Sequence, residues 1–200
     1  MAAVVLACGS AGAQAPLTNY ELVRAAALAA SSELVNGLAP LVGDSTVAVR
    51  GVGQSSGGFL VENTLSKALT DAGFQVRTRP DSTIGRVVEY EVADLGLAYP
   101  RVHRNAFFGH KRVQREARAR IFARLVDQEQ GSILWANQAE SRQSDEVDAS
   151  RLPDLEEKNP VDYLEATVPP ERWNKLVEPV VVTGIIAGLI ILFFSNQSSE

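Results

Sequence analysis

Gly51-Val-Gly53-Gln-Ser-Ser-Gly57 lies between a β-branched run and an amphipathic one, where a glycine-rich loop can turn backbone N–H groups towards a phosphate. Two features oppose that chemistry. The last glycine comes one residue later than in Gly-x-Gly-x-x-Gly, and the following run FQVRTRP ends without an acid to hold a ribose hydroxyl. A flexible turn is the primary reading, with a nucleotide- or anion-binding enzyme using Gly51–Gly58 as the lesser alternative. The second chemical feature is basic. Arg101, Arg104, Lys111, Arg112, Arg115, Arg118, Arg120 and Arg124 hold eight of the 19 Lys and Arg residues. The plainer reading is a solvated strand face balanced by the acidic loop; the functional one makes Arg112, Arg115, Arg118, Arg120 and Arg124 a candidate face for an acidic partner, a lipid headgroup or a glycan polymer.

Other groupings are weaker. His103 and His110 have no further ligand at metal-binding spacing. Ser144, His103 and Asp145 could be imagined as a nucleophilic grouping, but no Gly-x-Ser-x-Gly elbow accompanies them. Asp145, Asp148, Asp154, Glu156 and Glu157 fall in a stretch with nothing to bury an acid pair and tune it. No catalytic residue, cofactor or metal is assigned, and the protein is not expected to be an enzyme.

These residues need a domain to carry them. The 200 residues are 46% hydrophobic and 22% charged, enough for one modest core. A net charge of −5 argues against nucleic acid as the partner. A lone cysteine, Cys8, allows no internal disulfide.

Residues 17–38 are rich in Ala and Leu and predict a helix capped by Asn19 and ended by Gly37. Residues 46–50 alternate as a strand, 59–72 carry helical spacing closed by Gly73, and 74–78 form a second strand, so that 46–78 make a βαβ-like unit. A third strand is expected over 86–98, then a connection over 99–111. In 112–127 the Ala and Arg content favours a helix, but Val113, Ala117, Ala119, Ile121, Ala123 and Leu125 share one parity. Glu116, Arg118, Arg120 and Arg124 share the other, so a long half-buried strand is the better reading. It forms a hairpin with 132–138, and 145–157 is expected to be a solvated acidic loop. The fold class is α+β: a small mixed sheet of four or five strands with two helices, plus a C-terminal transmembrane helix.

The ends carry the targeting signals. Leu176 to Phe194 is apolar apart from Glu178 and long enough to span a bilayer, with Trp173 placed as an interfacial anchor. Gly184 and Gly188 have the Gly-x-x-x-Gly spacing of close helix contact, which makes a structural subunit of a membrane complex an alternative role. At the other end, Ala13-Gln14-Ala15 resembles a secretory cleavage site, and Val5-Leu6-Ala7-Cys8 a lipoprotein box that would lipidate Cys8. The expected organisation is a leader (1–16), an α+β domain (17–140), an acidic Pro-containing tether (141–175), the membrane helix (176–194) and a polar tail (195–200). The domain is expected to be extracytoplasmic, with a cytoplasmic tail-anchored domain as the alternative.

TVAVRGVGQSSGGFLVENTLSKALTDAGFQV (46–76) and RIFARLVDQEQGSILWANQ (120–138) resemble a small α+β domain of bacterial envelope proteins. That domain is shared by the curli-secretion-channel lipoprotein, flagellar-associated lipoproteins and penicillin-binding-protein activator lipoproteins. The resemblance spans Thr46 to Gln138 and implies a non-enzymatic scaffolding or activator module with an envelope protein partner. It assigns no catalytic residue.

Overall fold

The computed structural model describes residues 15–42, 46–77, 85–104, 109–158 and 160–169. They belong to the first of the chain's two units, Met1–Val168, apart from Pro169 at the start of the second.

Two helices, α1 (Asn19–Val42) and α2 (Gly58–Asp71), pack with a five-stranded sheet. The strands are β1 (Thr46–Gly51), β2 (Gln75–Arg77), β3 (Arg86–Arg104), β4 (Lys111–Asp127) and β5 (Ser132–Asp148), in spatial order β2-β1-β3-β4-β5. β1 runs parallel to both β2 and β3, and β3, β4 and β5 form an antiparallel meander. The mixed α+β sheet, the βαβ unit and the strand over 111–127 agree with expectation.

Alternation along β4 explains why it is a strand. Val113, Arg115, Ala117, Ala119, Ile121, Ala123 and Leu125 are all buried, and the residues between them are not. A period of two puts the first set against the helices and the second on the opposite face, which a helix could not do. Leu22, Val23, Leu34, Val35 and Leu38 of α1 and Leu60, Val61, Leu65 and Leu69 of α2 complete this core. Each such side chain contributes about 1.5–3 kcal/mol on full burial.

Several boundaries differ from expectation, each for a tertiary reason. Thr18, not Asn19, caps α1. Its hydroxyl accepts from the Glu21 N–H at 3.2 Å, and the Glu21 carboxylate accepts from the Thr18 N–H at 2.8 Å, a capping box. At the other end α1 passes Gly37 and Pro40 to reach Val42, because Leu38 still belongs to the buried stripe. Gly37 serves instead as a close contact: a Cβ there would stand 3.7 Å from the Trp135 ring.

β3 continues through the expected connection to Arg104, accommodating Pro100 at an irregularity between Ala98 and Arg101 where no ladder bond is needed. β5 extends ten residues beyond the expected hairpin, so Ser141 to Asp148 lie in the sheet and not in a tether, nor Asp145 to Asp148 in an acidic loop. After it, two short helical turns, Ala149–Arg151 and α3 (Leu152–Leu155), bury Leu152 and Leu155. A further turn, Asp162–Leu164, buries Leu164. The folded unit therefore reaches well past residue 140.

The expected leader with Cys8 and the expected membrane helix with Trp173, Gly184 and Gly188 lie outside the described residues. Among the described residues no helix is long and apolar enough to cross a membrane.

Candidate partner-binding face

Register alone determines which side chains share the sheet face turned away from the helices. Arg50, Glu89, Arg124 and Ala136 are successive neighbours across β1, β3, β4 and β5, and Glu91, Phe122 and Gln138 form the next row. Further along, Asp94, Arg120 and Glu140 make one row, and Gly96, Arg118 and Arg142 another. The face is therefore built from every second residue of three long strands.

Arg50, Arg112, Arg118, Arg120, Arg124 and Arg142 on this face are each engaged. Arg124 donates to Glu89 at 2.6 Å, and Arg50 grips the other oxygen of the same carboxylate. Glu89 is buried, and the Arg50 hydrogen bond holds its carboxyl below the usual carboxylate range. Desolvation opposes that shift and Arg124 reinforces it. Arg120 donates to Glu140 at 2.9 Å, and Glu140 also accepts from Arg142 at 2.8 Å, so its carboxyl too is held low, by Arg142 first and then Arg120. Arg118 stands 3.4 Å from Glu116 and 3.6 Å from Asp94, and Arg112 lies 2.9 Å from Glu146. The basic stripe seen along the sequence is thus interleaved with acids from both adjoining strands. It is a ladder of paired charges, of which the pairs away from buried Glu89 are exposed and weakened by solvent.

Arg115 does not belong to this face. Its parity matches the core residues, and its side chain is fully buried on the helix side. It donates to both Asp145 oxygens at 2.8 and 2.5 Å, to Asn19 Oδ1 at 2.8 Å and to the Leu17 carbonyl at 2.6 Å. Asn19 in turn donates to the Tyr99 hydroxyl, which donates to Glu156, each at 2.9 Å. Burial pushes the Tyr99 hydroxyl up to about 12; the Asn19 bond opposes this and Glu156 adds to it. One buried network thus joins the start of α1, three strands and the end of α3. Asn19, Tyr99 and Glu156 gave no local signal of it, though the parity of position 115 did point inward.

Between the charged rows lies an apolar groove of about 430 Å³. Val52, Phe122 and Ala136 line it, with Glu89, Arg124 and Gln138 at its sides. Phe122 and Val52 remain 43% and 42% exposed, so the groove is open to a partner. The sequence hint was Phe122 itself, an aromatic at a position whose parity over 112–124 otherwise carries charged or polar residues.

The glycine loop resolves differently. Gly53 has φ of +86°, which suits a residue without Cβ, and Gly57 lies against Leu95, where a Cβ would come within 2.2 Å. The Tyr90 hydroxyl sits under the loop and donates to the Gly58 carbonyl at 2.9 Å. Burial, with Glu62 beside it, pushes that hydroxyl up to about 12. A concavity of about 350 Å³ is lined by Gly51 to Ser56, Gly58, Tyr90 and Val92, none of them basic. The glycines therefore have packing reasons, and no Lys or Arg waits there for a phosphate.

The sheet also separates the imagined nucleophilic grouping: His103 and Ser144 lie on the open face, while Asp145 turns to Arg115 on the other. Among the described residues no three His, Cys, Asp or Glu side chains converge as a metal site requires.

No protein-family model matches the chain, and no curated protein matches it in sequence. Solved structures do. The chain is similar to the LpoB C-terminal domain from Escherichia coli at 11% identity and a TM-score of 0.38, over 57% of this chain and 96% of that one. It is also similar to lipoprotein GNA1162 from Neisseria meningitidis, at 16% identity and 0.34, over 56% and 92%. The LpoB C-terminal domain from Salmonella enterica matches at 11% and 0.33, over 59% and 96%. Of these three, GNA1162 is a lipoprotein by name, and all three match at low identity.

Proposed function

We propose that this chain is a non-catalytic cell-envelope module that holds a protein partner on the open face of its sheet, with segment 176–194 anchoring it to the membrane. The observation that carries this reading is the groove of Val52, Phe122 and Ala136, framed by paired charges. An exposed aromatic on an uncovered sheet face is the arrangement that anchors protein interfaces, with a polar rim fixing orientation. Because Arg50, Arg118, Arg120, Arg124 and Arg142 are already paired with acids, recognition there rests on shape and apolar contact more than on net positive charge. The late third glycine of the loop and its lack of basic lining favour binding over catalysis.

The test is site-specific photo-crosslinking in cells, with p-benzoylphenylalanine replacing Phe122 in the groove or the exposed Phe59 at the start of α2. A discrete adduct at 122, absent at 59 and lost when Ala136→Arg fills the groove, supports the reading. No adduct at 122, or the same adduct from both positions, overturns it.

A further inference from the structure

The sheet ends, among the described residues, at β5, a 17-residue strand whose outer edge pairs with nothing. Long free edges recruit other strands unless charge or Pro blocks them. On this edge the Gln138 N–H is met only by its neighbour's Asn137 Oδ1, at 2.9 Å, which identifies 138, and by alternation 140, 142 and 144, as residues whose backbone faces outwards.

We propose that this edge pairs antiparallel with β5 of a second copy of the chain across a two-fold axis at Ser141, joining two five-stranded sheets into one. Charge decides the register. In an antiparallel pair about Ser141, Glu140 of each copy stands opposite Arg142 of the other, making two cross-strand ion pairs on the open face. Gln138 then faces Ser144, and Trp135 faces Val147 on the helix side, apolar against apolar. Sliding the pairing one step either way sets Glu140 against Glu140 or Arg142 against Arg142. Like charges directly opposite each other disfavour those registers. The two ion pairs need no rearrangement of side-chain direction, because Glu140 and Arg142 already lie side by side on the open face, 2.8 Å apart. A two-fold contact of this kind uses the same patch on both copies and closes on itself, so it ends at a dimer.

The test uses the full chain in mild detergent, with Cys8→Ser removing its one native thiol. Ser141→Cys places two thiols across the axis at a distance a disulfide can bridge. Gln143→Cys places its two thiols about 14 Å apart along the strands. The expected result under copper-phenanthroline oxidation is a covalent dimer from Ser141→Cys and none from Gln143→Cys. Adding Arg142→Glu should cut the Ser141→Cys dimer roughly tenfold, since both ion pairs become repulsions. Arg142 is 57% exposed, so that change leaves the fold intact, and circular dichroism checks this. No disulfide from Ser141→Cys, or equal yields from 141 and 143, overturns the proposal. So does a dimer by mass that is not captured at 141, which would place the contact in another segment.

Discussion

Arg115 and Asp145, thirty residues apart on β4 and β5, meet through two hydrogen bonds of 2.8 and 2.5 Å while the arginine is wholly buried. The same guanidinium holds Asn19 and the Leu17 carbonyl, so one side chain ties the start of α1 to the middle of the sheet.

Removing that side chain leaves a carboxylate, an amide and a carbonyl without their donor. Arg115→Ala should therefore cost about 3–5 kcal/mol in urea unfolding. Arg120→Ala, on the open face and 40% exposed, should cost about 1 kcal/mol or less. Equal losses would show that the buried network does not hold the two elements together.

Glu89 makes stability depend on acid. Its folded pKa lies below the unfolded one, so its contribution is complete above the ordinary carboxylate value and disappears as pH falls through the lower, folded value. Urea midpoints measured from neutral pH down into acid should drop over that window. Glu89→Gln should flatten the drop, and an unchanged slope in the variant would remove Glu89 as its source.

At the other end of the pH scale the tyrosines act in the opposite sense. Tyr90 and Tyr99 are pushed up to about 12, first by burial. Their contribution is complete below the ordinary phenol value and is lost as pH rises from there to about 12. Ultraviolet titration should show Tyr90, Tyr99 and Tyr163, the last also raised by burial, ionising late, and Tyr99→Phe should remove one of these three. That variant should also cost about 1–3 kcal/mol, by stranding Asn19 and Glu156.

The glycine loop should behave as a packing element. Gly57→Ala drives a methyl into Leu95 and should cost about 1–3 kcal/mol, partly recovered by Leu95→Ala. Gly53→Ala meets open space but keeps φ of +86°, so it should cost about 1–2 kcal/mol that no second-site change recovers. If nucleotide stabilised the wild type and neither variant, the loop would be a ligand cradle after all.

Much of this was legible in the chain. Parity along 112–127 separates core from face, because a strand's period of two is written in side-chain type alone. The βαβ unit could likewise be read from β-branched runs around an amphipathic helix. The inward turn of Arg115 was present in the same parity, though the residue's charge suggested a place with the other arginines. What could not be read was anything that depends on a neighbouring strand. Ser141 to Asp148 read as the start of a tether, and Asp145 onward as a solvated acidic loop, because the cations that pair with this strand sit on β4, some twenty to forty residues earlier. That the arginine stripe is balanced by acids could be expected, but not which ones: Glu89, Glu140 and Glu146 are brought alongside only by the register of β3 and β5. The sequence by itself determined which residues point up or down along each element, since that follows from local periodicity. Only the tertiary structure decided which charges cancel, which edge stays free and where an apolar groove opens, since each of those depends on register between distant strands.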